Sequence, residues 1–155
     1  MVKKIVYFLL IALVIAQFFG PEKNQGDLTS LDAFYAETKP SDDVRLILEQ
    51  ACFDCHSNVT KYPWYSKITP INYWMADHVE EGKEELNFSK WSAYSTKRKD
   101  HKLEETVEMI EKGKMPLDSY TWAHKDAVLT EVQKQAIKEW VDSVRMGYAL
   151  ESKPQ

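Results

Sequence analysis

The chain has 155 residues, with 20 basic against 24 acidic side chains for a net charge of −4, and only two cysteines. A mildly acidic surface argues against nucleic acid as the partner class, and two cysteines exclude a multi-disulfide scaffold. No internal repeat is visible, and the length suits one small domain behind an N-terminal segment.

In chain order, Lys3 and Lys4 precede an apolar run from Ile5 to Phe19, broken only by Gln17 and closed by Gly20-Pro21. A basic start before an apolar run is an export pattern. Its exit, Ala16-Gln17-Phe18-Phe19-Gly20, puts bulky aromatics where a cleavage site needs small residues, so residues 1–20 are expected to persist as a hydrophobic anchor helix. The run is nonetheless short of the ~20 apolar residues that span a bilayer comfortably. This topology places the rest of the chain on the periplasmic side of the bacterial inner membrane, held by residues 5–20. Residues 21–40 are rich in polar and turn-forming types and read as a tether.

Residues 41–148 read as one domain and 149–155 as a tail. Ser41 followed by Asp42 and Asp43 is a helix start, and Val44, Ile47, Leu48, Ala51, Cys52 and Cys55 then recur at helical spacing. A second helix is expected from Thr69-Pro70 to Gly82, with Ile71, Met75, His78 and Val79 on one side. A third runs from about His101 to Lys112, with Gly113 as its stop. Thr130-Glu131-Val132-Gln133 is a capping box that opens the last, whose stripe is Val132, Ala136, Ile137, Trp140, Val141 and Val144. No alternating pattern competes with these segments, so the fold class is all-α.

Both cysteines fall in Cys52-Phe53-Asp54-Cys55-His56, which reads as CxxCH. Two thiols so spaced can add to the vinyl groups on one edge of a porphyrin while the next imidazole binds its iron, which makes this the attachment sequence of a c-type haem. A redox dithiol would need a thioredoxin-like strand pattern, and zinc would need two further ligands; neither is evident. With His56 as the proximal iron ligand, the far axial position needs a second donor. Met115-Pro116, in the loop after Gly113, is the first candidate, since a thioether suits an electron-transfer iron. His78 is the alternative distal ligand, and its competing role is that of a satisfied core histidine. His124 reads as a loop histidine and His101 as solvated. The aromatics Tyr62, Trp64, Tyr65, Tyr73, Trp74, Phe88, Trp91 and Tyr94 are numerous enough for some of them to wall a flat cofactor. Lys97-Arg98-Lys99 reads as a solvated helix face.

Taken together, Cys52 to Asn58, Tyr62-Pro63-Trp64-Tyr65, His78-Val79 with Gly82, Leu86-Asn87-Phe88-Ser89 with Trp91, and Met115-Pro116 with Ser119-Tyr120-Thr121 resemble the bacterial haem-binding domain family of small monohaem c-type cytochromes. The resemblance covers about residues 41 to 145. It implies one covalent haem c on Cys52 and Cys55, His56 as proximal ligand, and an N-terminal membrane anchor. The first helix ending in CxxCH, the Met-Pro loop and the closing helix are similar to the cytochrome c-like plan, with a long aromatic-rich insert. The expected function is single-electron transfer between membrane-associated or periplasmic redox proteins, from a quinol-oxidising complex to an oxidase or reductase. The chain is not expected to be an enzyme, the rival being a haem enzyme or gas or redox sensor with an open or labile distal site.

Overall fold

The computed structural model describes residues 1–151, and eight α-helices carry its architecture: α1 Val2–Ala16, α2 Asp32–Thr38, α3 Asp42–Ala51, α4 Phe53–His56, α5 Ile71–Glu85, α6 Thr96–Glu111, α7 Asp118–Ala123 and α8 Glu131–Glu151. Short 3-10 turns join several of them. Among the described residues no strand forms; the extended pairing is a single bridge between Gln25 and Val59. The class is all-α, as expected.

Local chemistry explains the helix ends. The Ser41 hydroxyl accepts from Val44 N, and Ser95 accepts from Arg98 N, which starts α6 five residues ahead of the expected His101. Thr130 and Gln133 exchange bonds as a capping box at the head of α8. Gly113, at φ 64°, closes α6 in a Schellman arrangement: its own N–H reaches Ile110 O, and Lys114 N reaches Met109 O. Gly82, expected as a stop, lies inside α5, which continues to Glu85.

The core forms where α2, α3, α6 and α8 meet, with Leu48, Leu103, Ile137 and Val141 buried. Phe34 is its hub, with its ring 4.7 Å from Phe88, 5.2 Å from Trp91, 6.0 Å from Trp140 and 6.3 Å from Phe53. This changes the picture of residues 21–40. Instead of a free tether, they contain a 3-10 turn at Leu28–Leu31 and then α2, with Leu31 and Phe34 buried. Trp140 Nε1 donates to Thr38 O at 2.9 Å, and the Tyr148 hydroxyl donates to Glu37 at 2.6 Å, fastening α2 to α8. Lys99, read as part of a solvated basic face, instead folds inward and pairs with Glu37 at 2.6 Å.

The two chain ends also differ from expectation. A helix forms at α1 with none of its residues buried, but no described helix is long and apolar enough to cross a membrane. At 1.5 Å per residue its 15 residues reach about 22 Å, against a hydrocarbon core of about 30 Å. At its end the Gln17 amide donates to Thr69 O at 3.2 Å and accepts from Thr69 N at 2.9 Å. At the other end, residues 149–151 prolong α8 rather than starting a tail; residues 152–155 of that expected tail lie outside the described residues.

Candidate haem site

A cavity of about 560 Å³ opens between α4, α5, α6 and the loop that follows α6. Its volume falls within the range of small-molecule and cofactor pockets. Cys52, Cys55, His56, His78 and Met115 all line it, so every ligand candidate except His124 and His101 is brought to one place. Leu86, Phe88, Ile110, Leu117 and Leu129 make much of the remaining wall apolar.

The two residues between the cysteines position the turn. Phe53 is buried and packs against Phe34 and Phe88, pinning one side of the motif into the core. Asp54, also buried, accepts from Lys61 N at 2.8 Å and from the Tyr120 hydroxyl at 2.7 Å. Burial and then the Asp54 carboxylate push the Tyr120 hydroxyl pKa up, so it remains a donor. Cys52 sits at the break between α3 and α4, so the cysteines are set by a kinked helix end instead of one continuous helix.

His56 has a defined tautomer. Its Nδ1 lies 2.8 Å from Gly82 O and 3.1 Å from Leu86 O, and carbonyls only accept, so Nδ1–H donates and Nε2 keeps its lone pair. Burial, outweighing those two carbonyls, holds the imidazole below its ordinary pKa and therefore neutral at neutral pH. A metal-binding histidine is held in this way, by one ring N–H bonded to a backbone carbonyl. Gly82 makes the contact possible: a Cβ there would stand 2.8 Å from Cys55 O, so only a glycine lets α5 lie this close to the motif.

The thiols are desolvated. Burial, then the neighbouring Cys55, pushes Cys52 up to about 12; burial, then Asp54, pushes Cys55 up to about 11. Both are protonated at neutral pH, unlike the low-pKa thiol of a reactive dithiol. Among the described residues no group of three or more His, Cys, Asp or Glu side chains is placed to hold a metal ion.

On the other wall, the Schellman turn at Gly113 brings Met115 back over the cavity, where it packs half-buried against the core. His78 lies on α5, its Nδ1 2.9 Å from Trp74 O. His124 is spent elsewhere: Nδ1–H donates to Tyr120 O at 3.0 Å, Nε2 accepts from Tyr65 at 3.3 Å, and the ring stacks on Tyr120. His101 is exposed, as expected.

The aromatics fare differently from the expectation. Of the eight named, Phe88 alone lines the cavity; Trp91 is core, and Trp64, Tyr73 and Trp74 face solvent. The residues after the motif instead form a polar lattice. Asn24 bonds Ser57 O and Thr60 Oγ1, Gly26 N donates to Asn58 O, Asn87 Nδ2 donates to Asn58 Oδ1, and Ser89 Oγ accepts from Asn58 N. Asn24 and Gly26 escaped sequence reasoning because their partners lie more than thirty residues away; glycine is required at 26, where a Cβ would sit 2.8 Å from Asn58 O.

An apolar slot of cofactor size, with a neutral imidazole whose tautomer leaves Nε2 free, fits a haem, and it defines the class of protein as haem-binding. The comparison of the sequence with protein families gives the same answer: residues 11–143 match the family described as Haem-binding domain, and the chain belongs to it. No curated protein and no solved structure matches the chain.

Proposed function

We propose that the protein is a monohaem c-type cytochrome that carries single electrons between membrane-associated or periplasmic redox partners. The observation that carries this is the convergence of Cys52, Cys55, His56 and Met115 on one apolar cavity, with His56 Nδ1–H already bonded to Gly82 O. The bound haem would supply an iron that changes oxidation state by one electron. The protein's part is to hold it still. Cys52 and Cys55 would bind the ring edge covalently, His56 would ligate through Nε2, and the Gly82 and Leu86 carbonyls would fix the imidazole plane and strengthen its basicity.

Met115 is the favoured distal ligand because it reaches the cavity from the loop after α6, whereas His78 belongs to α5, the helix that backs His56. His78 remains the second reading, supported by its own Nδ1 contact to Trp74 O, which leaves its Nε2 free. Lys3 and Lys4 at the head of an apolar helix with no buried residue support export with α1 kept as an anchor, the domain facing the periplasm.

Absorption spectra of the exported protein, before and after acid-acetone extraction, test the reading. Haem retained by the polypeptide, with a weak far-red sulfur-to-iron band that Met115→Ala abolishes, is the expected result. A band that survives Met115→Ala would sink that ligand. A high-spin spectrum that binds carbon monoxide would instead mark an open site and turn the function towards a sensor or enzyme, and extractable haem would overturn covalent attachment.

A further inference from the structure

We infer that a second element, the segment Trp64–Trp74, is a membrane seat that presses the haem domain into the lipid headgroup layer. The inference rests on the reading of α1 as an anchor. Five large side chains in this stretch face solvent: Trp64 (76 % exposed), Ile68, Ile71, Tyr73 and Trp74. They occupy one 3-10 turn, its C-terminal cap Ile68 and the first turn of α5, and between them stands Thr69. Thr69 is where α1 is tied to the domain, through two bonds with the Gln17 amide and through Thr69 Oγ1 to Ala16 O and Phe19 O. An apolar surface therefore continues from α1, past the exposed Phe18 and Phe19, onto the domain itself.

Charge follows the same division. In a chain of net charge −4, residues 61 to 76 contain no carboxylate and two exposed lysines, Lys61 and Lys67. The next stretch of α5, from Asp77 to Glu85, carries five carboxylates against one lysine. The half of α5 beside α1 is thus aromatic and neutral, and the half farther along is acidic. Tryptophan and tyrosine settle at the headgroup level of a bilayer, and lysine is drawn to its anionic lipids. A helix about 22 Å long also cannot fill a core of about 30 Å, and a short span draws its flanking residues inward. Here those flanking residues are aromatic. The seat adjoins the cavity, since the Trp74 ring lies 4.5 Å from that of His78 on its rim.

The test uses the full chain in vesicles of phosphatidylethanolamine and phosphatidylglycerol that contain a lipid with a photoactivatable diazirine close to its headgroup, with cross-linked peptides mapped by mass spectrometry. The expected result is labelling of both residues 2–19 and 64–74, several-fold above the α8 peptide carrying exposed Met146. Trp64→Ser with Trp74→Ser should then lower labelling of 64–74 and leave that of 2–19 unchanged. Labelling confined to 2–19 overturns the seat while keeping the anchor. Labelling of 64–74 that the double variant does not reduce, or its replacement by cross-links between two copies of the chain, also overturns it. No labelling of 2–19 overturns the anchor, and the seat with it.

Discussion

The two walls of the cavity are held very differently. On the His56 side, Phe53 is wedged into the aromatic core, Asn58 is bonded from both Gly26 and Asn87, and the imidazole meets the carbonyls of Gly82 in α5 and of Leu86 just after it. On the Met115 side, a six-residue helix and a glycine turn carry the thioether, and one side-chain bond, Tyr120 to Asp54, ties that loop to the motif. The first wall is fixed many times over and the second by a few contacts. The position of His56 is therefore a consequence of folding, while that of Met115, the distal ligand proposed above, depends on one loop, where coordination and potential would be altered without unfolding the domain.

Breaking the strong wall should cost most. Phe34→Ala removes the hub on which Phe53 rests and is expected to destabilise the domain by about 3–5 kcal/mol in denaturant titration; a cost near zero would show that residues 28–38 are a tether after all. Gly82→Ala sharpens the contrast, because alanine in a helix interior ordinarily stabilises by up to about 1 kcal/mol. Here the added Cβ meets the Cys55 carbonyl, and the expected sign is reversed, a loss of about 1–3 kcal/mol with poorer haem incorporation, read from the ratio of haem absorbance to protein.

The weak wall should respond spectroscopically before it responds thermodynamically. Tyr120→Phe leaves a buried Asp54 oxygen without its donor, at about 1–3 kcal/mol. Its larger effect should be on the far-red band, which should titrate away at a lower denaturant concentration than in the parent while His56 stays bound. An unaltered band would free the loop from Asp54. The smallest effect lies away from both walls, at Glu37. Burial raises its pKa, but hydrogen bonds from Lys99 and Tyr148 outweigh that and leave it below the ordinary 4.5. A depressed carboxyl pKa stabilises the fold fully above the ordinary value and loses that contribution as pH falls through the lower folded value. Glu37→Gln should therefore lower the melting temperature slightly at neutral pH and flatten its fall below pH 4.5.

Local signals in the sequence were read well. Ser41, Gly113 and the Thr130–Gln133 box act where they stand, because capping involves neighbours three or four residues apart. The cavity's ligand candidates were legible for the same reason: CxxCH is contiguous, and Met115 follows a recognisable helix stop. What escaped is long-range. Phe34 stands between Ala33 and Tyr35 in a short segment bounded by polar residues, and the rings that give it a core to enter, Phe53, Phe88, Trp91 and Trp140, are scattered over the rest of the chain. Aromatic density suggested cofactor walls, yet composition cannot separate a ring that packs on Phe34 from one that faces water. Gly82 looked like a terminator, since nothing near it in sequence announces that Cys55 needs the space.

The stitching of Asn24 and Gly26 onto Ser57, Asn58 and Thr60 has one more consequence. It leaves residues 18–23 as the stretch of chain between α1 and the domain that could pay out if the bonds of Thr69 to Ala16, Gln17 and Phe19 opened, a leash of roughly 20 Å at full extension. For the anchored electron carrier proposed above, a haem domain on so short a leash could not search a volume for electron donors and acceptors. It would meet them by sliding sideways in a shared layer, so its encounter rate would scale with their density per unit of membrane area and hardly at all with their concentration in the surrounding fluid.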